Sequence, residues 1–163
     1  KPKKLVFHSG FLPNVYYKEW FVDRAILFLK EFIKDKDIEI CLENVFSDEP
    51  SFIYDIVSKV DSDRLKICLD IGHINAYGDK TCKDEENACI KYWIDKLYPY
   101  ISHFHIHNNN GMKDTHNDVY DGDIDIKDII MYAITKIEVP TFTVEVMNIK
   151  DFPDFIDKIC NLS

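Results

Sequence analysis

The chain has 163 residues, 46% hydrophobic and 13% aromatic, enough for one domain with a substantial core. Its 29 acidic and 20 basic residues give a net charge of −9, and lysines crowd only the first few positions and the Lys34–Lys36 turn, which disfavours a nucleic-acid surface. No apolar run approaches the roughly 20 residues a membrane helix needs, and no secretory signal opens the chain, whose KPKK leads straight into a short apolar run.

Taken in chain order, short apolar runs alternate with longer helical patterns. KLVFH (4–8) reads as a strand, and residues from about 15 to 35 carry Trp20, Phe21, Phe28, Leu29, Phe32 and Ile33 at helical spacing. IEICLE (38–43) is a second strand, followed by a helix that opens at Pro50 and runs to about Val60. LKICLD (65–70) is a third, followed by a helix over Glu85–Tyr98 that stops at Pro99. ISHFHIH (101–107) is a fourth, with a helix over Asp125–Lys136. TFTVE (141–145) is a fifth, with a helix over Phe152–Ile159 that puts Phe155, Ile156 and Ile159 on one face. Five strand–helix alternations predict a parallel sheet with right-handed crossovers.

Side chains alternate faces along a strand. Ile40 and Leu42, Ile67 and Leu69, Phe104 and Ile106, and Phe142 and Val144 form greasy faces that would pack on helices. The opposite faces carry Cys41 and Glu43, Cys68 and Asp70, the three histidines 103, 105 and 107, and Thr143 and Glu145. Cys41 and Cys68 therefore read as interior filler. The five cysteines (41, 68, 82, 89 and 160) are odd in number and lack CxxC spacing, so reduced thiols and a cytoplasmic location are expected rather than a zinc knuckle or disulfide framework.

Each strand ends in a group able to ligate a metal: His8, Glu43, Asp70, His105 (or His107) and Glu145. Singly, each has an ordinary explanation: a turn for His8, a cap or surface charge for Glu43, a helix cap for Asp70. His103, lower in its strand, reads as a buried structural histidine. Five such groups at equivalent positions predict one rim at the C-terminal ends of parallel strands. His73 follows Asp70 by three, and Asp114 and His116 form a D-x-H pair in a polar loop with Gly111 and Gly122. Mixed carboxylate and imidazole ligands suit a divalent metal such as zinc or manganese. Glu43 and Glu145 end strands on opposite sides of that rim and can serve as ligands and acid–base groups at once.

The series VFHSG, CLEN, CLDIGH, HFHIHNNNG–DTH–DGDID and TVEV resembles the xylose isomerase-like TIM-barrel superfamily, in order from Lys4 to about Met147. That superfamily holds sugar isomerases and epimerases together with the endonuclease IV group (AP endonuclease family 2). The resemblance implies an α/β fold, a TIM (β/α)8 barrel of which this chain carries the last five strand–helix units. Residues 1–163 would then be a single partial barrel domain with the first three units absent; the opening Lys, in place of Met, fits a trimmed product or fragment. It further implies that Glu43, Asp70, His105 and Glu145 are the central metal ligands, and that Glu43 and Glu145 exchange the substrate proton in the epimerases. His73 matches a residue that binds substrate in the epimerases and a metal in the endonucleases. His8, Asp114 and His116 match positions that hold further metals in endonuclease IV. His107 stands where many relatives have a polar residue of another type. The glycine-x-glycine usual after the D-x-H pair reads Tyr120-Asp121-Gly122, its first glycine replaced.

Two activities are expected. One is a sugar or sugar-phosphate isomerase or epimerase, using a divalent metal (Mn, Zn, Mg or Co) and two glutamates to move a proton next to a carbonyl. The other is an endonuclease IV-like phosphodiesterase acting on abasic DNA, which the extra histidines favour and the acidic charge and scarce arginines (Arg24 and Arg64 among them) disfavour. A third reading, a binding or degenerate member, is opposed by the full ligand set. The expected partner is a small-molecule sugar or sugar phosphate, not nucleic acid or membrane, with homo-oligomerisation left open.

Overall fold

The computed structural model describes residues 2–10, 17–45, 49–78, 87–147, 150 and 152–160. Five strands, β1 (Lys4–His8), β2 (Glu39–Glu43), β3 (Leu65–Asp70), β4 (Ile101–Ile106) and β5 (Thr141–Val144), lie side by side in chain order, every pair parallel. The helices are α1 (Lys18–Ile33), α2 (Pro50–Val60), α3 (Ile71–Tyr77), α4 (Ala88–Leu97), α5 (Ile126–Lys136) and α6 (Phe152–Cys160). This is the parallel sheet expected from the alternation, and the partial α/β barrel that the resemblance implies.

Local chemistry sets the boundaries. Pro50 opens α2, where its fixed φ suits the first turn and its missing N–H costs nothing. Asp125 caps α5 by accepting from the Asp128 N–H at 3.0 Å. The α4 helix ends at Leu97, two residues ahead of Pro99.

The greasy strand faces pack as expected. Ile40, Leu42, Ile67, Leu69, Phe104 and Ile106 are buried with Ile53 and Ile56 of α2, Trp93 and Ile94 of α4, and Ile129 of α5. Burying each large aliphatic side chain is worth about 1.5–3 kcal/mol, so this layer dominates the stability of the half-barrel. On the inner face, Lys4 Nζ reaches the Ser102 carbonyl at 2.9 Å and the Glu39 carboxylate at 3.1 Å, closing the N-terminal end of the sheet with a polar plug. Among the described residues, strands β1 and β5 are paired on one side only, and Leu5 of β1 is exposed.

A bulge between β3 and β4 sets the register of the strand ends. Ile67 pairs with Ile101, but Cys68 pairs with His103, so Ser102 is an extra residue. The shift brings His105 opposite Asp70. Alternation alone does not reveal such a reset.

The helices depart from the sequence reading in three places. Trp20 and Phe28 of α1 are exposed, whereas Val22, Leu29 and Ile33 are buried, because apolar residues on this helix extend beyond the face that meets the sheet. In α6, Phe155 is buried and Ile156 faces solvent; Ile159 lies outside the described side chains. The seven-residue α3 is too short to show periodicity. The described part of the fourth helix begins at Ala88; Glu85, Cys82 and the Cys160 side chain lie outside the described residues.

Candidate metal centre

Parallel register gathers the strand ends on one rim. Glu43 is paired with Cys68, Asp70 with His105, and His105 with Thr143, while the Glu145 N–H bonds the Ile106 carbonyl just past β5. Glu43, Asp70, His105 and Glu145 thereby form one group, with one ligand-type atom from each lying within 4.8 Å of the others. His105 Nδ1 stands 3.2 Å from Glu43 Oε1, 3.3 Å from Glu145 Oε1 and 3.9 Å from Asp70 Oδ2. Three carboxylates around one imidazole nitrogen in a mostly buried site is a costly arrangement without a cation.

A second group of four lies beside it: His73, His107, Asp114 and His116, again within 4.8 Å. The His73 ring donates Nδ1–H to the Asn44 carbonyl at 2.7 Å, and the His116 ring donates Nδ1–H to the Glu145 carbonyl at 2.8 Å. These bonds occupy each Nδ1 and turn each Nε2 into the site. The two Nε2 atoms converge on Asp114 Oδ2 at 3.2 and 3.3 Å. His116 has φ 47°, a left-handed conformation held by that ring bond and by the Met147 N–H on its carbonyl.

Asp70 links the two groups. Its Oδ1 accepts from the His73 N–H at 2.8 Å, capping α3, and from His107 Nε2 at 3.1 Å. The helix-cap reading and the site reading of Asp70 thus hold together. Burial opposes charge on Asp70, yet the His107 bond and the neighbouring His73 hold its carboxyl below the usual range. Burial likewise works against His73, but Asp114 and Asp70 win and raise it to about 9. Burial opposes and His73 lowers Asp114, while Glu43, against burial, raises His105.

Among the described residues, Asp70 Oδ2, His105 Nδ1, His107 Nδ1 and Asp114 Oδ1 are buried without a well-directed hydrogen bond. Orphaned buried polar atoms are rare. Two carboxylate oxygens and the His105 nitrogen in this state, beside the two Nε2 atoms turned toward Asp114, are what a divalent cation would satisfy, so these residues fit the metal that the sequence led us to expect.

Two histidines, His8 and His103, lie outside these two groups, and His107 sits deeper than expected. His8 comes within 3.6 Å of Glu43 Oε2, but its side chain is 68% exposed and it joins neither group. His103 is buried, its ring held by the Thr141 and Thr143 hydroxyls at 2.7 and 3.1 Å, and burial pushes it down to about 4. His107, which the sequence placed at the rim, is fully buried.

Three asparagines carry the surrounding scaffold without having been singled out in the sequence. The Asn44 side chain bonds both the N–H and the C=O of Asp70, at 2.8 and 3.0 Å. Asn109 donates to the Gly72 carbonyl and accepts from the Asn75 amide and the Gly111 N–H, each at 2.9 Å. Asn108 accepts from the Asn109 and Ile124 N–H groups and donates to the Val119 and Ile124 carbonyls. The available signal was the run NNN after a strand, since buried amides are expensive unless fully bonded. Gly122 is the surviving glycine of the loop because a Cβ there would lie 2.2 Å from Asn108 Oδ1.

Parallel strand–helix units with carboxylates and imidazoles gathered beyond the strand ends define a barrel-type protein with its site at the C-terminal face. Residues 3–150 match the family model described as xylose isomerase-like TIM barrel, and the chain belongs to that family. A probable endonuclease 4 of Metamycoplasma arthritidis is 35% identical over 124 residues, 71% of this chain and 44% of that protein. An uncharacterized protein of Methanocaldococcus jannaschii is 29% identical over 140 residues, 77% of this chain and 44% of that protein. A solved structure described as a D-tagatose 3-epimerase-like protein superposes with a TM-score of 0.74 at 25% identity, covering 98% of this chain and 64% of that one. The chain therefore spans under half the length of these two curated relatives.

Proposed function

We propose that the protein containing this chain is a metal-dependent sugar or sugar-phosphate isomerase or epimerase, its five units serving as the last five of an eight-unit barrel. The observation that carries the reading is the pair of glutamates flanking His105 Nδ1 at 3.2 and 3.3 Å, one from β2 and one from beyond β5. Glu43 is buried and Glu145 partly exposed, so the two carboxylates differ in their access to solvent. One removes the proton next to the substrate carbonyl and the other returns one. A divalent cation (Mn, Zn, Mg or Co) held by Glu43, Asp70, His105 and Glu145 supplies Lewis-acid polarisation of neighbouring sugar oxygens. His73, on α3 beside Asp114 and His116, is a further substrate or metal contact. The buried thiols of Cys41 and Cys68 support a reducing, cytoplasmic setting.

A second reading, an endonuclease IV-like phosphodiesterase, is supported by the His73–Asp114–His116 group and by the mycoplasma relative. One experiment separates them. Incubating the protein with a panel of ketoses and ketose phosphates in D2O with Mn is expected to exchange the proton next to the carbonyl, and Glu145→Gln to block it. No exchange, together with cleavage of an abasic duplex, would replace the first reading with the second.

A further inference from the structure

We propose that His107 is a positioning residue that aims Asp70 at the first metal group and ties it to the second, rather than being a metal ligand itself. The inference rests on the reading that Glu43, Asp70, His105 and Glu145 hold a cation.

The His107 side chain is fully buried, and its Nε2 makes one well-directed hydrogen bond, to Asp70 Oδ1 at 3.1 Å. The nearest oxygen of the second group, Asp114 Oδ1, is 3.5 Å away. A nitrogen whose N–H points at a carboxylate has no lone pair to offer a metal, and the other ring nitrogen, Nδ1, lies on the edge of the ring that faces the Gly72 backbone. With the His73 N–H on the same oxygen, two donors saturate Oδ1, and the plane of the Asp70 carboxylate is fixed. Its other oxygen, Oδ2, is left buried, unpaired and turned toward His105. That is the arrangement expected of an outer partner that orients a ligand.

His107 also lies flat on the His116 ring, centroids 3.9 Å apart and planes within 12°. His116 in turn is bonded to the backbone of Glu145, a member of the first group. Displacing His107 would therefore disturb a ligand in each group, although His107 binds neither cation.

The test uses zinc. In the zinc-loaded protein labelled with 15N, side-chain histidine spectra are expected to show His107 Nε2 still carrying its proton; a His107 Nε2 stripped of its proton by zinc would overturn the inference. His107→Leu is expected to weaken zinc binding by about 10–100-fold, whereas His107→Gln, whose amide N–H can reach the same oxygen but ligates metals poorly, should retain most of the affinity and the full number of ions. A glutamine variant that loses one ion, or a folded leucine variant that binds like the parent, would defeat it. If the leucine variant does not fold, the proton on Nε2 decides alone. A parent protein that takes up no cation would overturn the metal reading, and this inference with it.

Discussion

A Cβ placed on Gly72 would lie 1.9 Å from Cε1 of His107. Gly72 is the second residue of α3, directly after the cap that Asp70 forms, so the histidine ring rests against bare backbone at the start of that helix. Only glycine leaves room for it. Gly72→Ala is expected to destabilise the fold by about 1–3 kcal/mol through overpacking, despite alanine's better helix propensity. A urea titration should show a lower midpoint with an unchanged slope, and an alanine variant as stable as the parent would refute the packing argument.

Cation binding should be visible as stability. A metal that binds only the folded state adds about 2.7 kcal/mol at a concentration one hundred times its dissociation constant. Zinc or manganese is therefore expected to raise the melting temperature, and chelation to lower it. Asp70→Asn should remove most of that gain, since Asp70 lies between both groups. Equal melting curves with and without metal across Zn, Mn, Mg and Co would rule out a metal centre in this chain.

Alkaline pH tests the interior. Burial, against a weaker opposing effect of Ser102, raises the Cys41 thiol from 9.0 to about 11, and burial raises Cys68 as well. Between about pH 9 and 11 the unfolded chain loses the Cys41 proton while the folded chain keeps it. The folded state then binds more protons, so stability falls as pH rises through this window. Cys41→Ala should lessen the dependence, with Cys68 supplying the remainder, and alkylation of Cys41 at about pH 8 should be slow in the native protein and fast in urea.

The loop after β4 depends on one amide. Asn108 is 1% exposed and makes four hydrogen bonds, two to N–H groups and two to carbonyls. Asn108→Ala leaves several of these groups without partners, each costing about 1–3 kcal/mol. A loss above about 2 kcal/mol in denaturant unfolding is expected, with His116 signals shifted in NMR spectra because the same loop carries that residue. A change under half of that would mean water replaces the amide.

Residue chemistry made the sheet and most of the rim readable. Alternation separated Ile40 and Leu42 from Cys41 and Glu43, and the strand ends put His8, Glu43, Asp70, His105 (or His107) and Glu145 on one rim; the family resemblance narrowed these to Glu43, Asp70, His105 and Glu145, which the structure brings within 4.8 Å. What stayed hidden was non-local. His107 continues the alternation of His103 and His105, yet whether it meets solvent or the core depends on Gly72 approaching from another element. The Ser102 bulge leaves no periodic trace. Asn44 acts through hydrogen bonds across two strand ends, which no local pattern encodes. His8 ends its strand as expected, but β1 lies at the sheet edge and its ring extends into solvent.

The carbonyl of Glu145 that orients His116 belongs to the backbone, while its carboxylate faces His105. A glutamine or alanine at 145 therefore deletes the acid and leaves the peptide oxygen in place. The two histidine-bearing groups, which share this residue in space, can be silenced independently. On the proposed isomerase reading, a variant at 145 is expected to stop proton transfer with the neighbouring imidazole still held, and a variant at 116 to do the reverse. Kinetics and metal counting on that pair would assign a separate task to each half of the site.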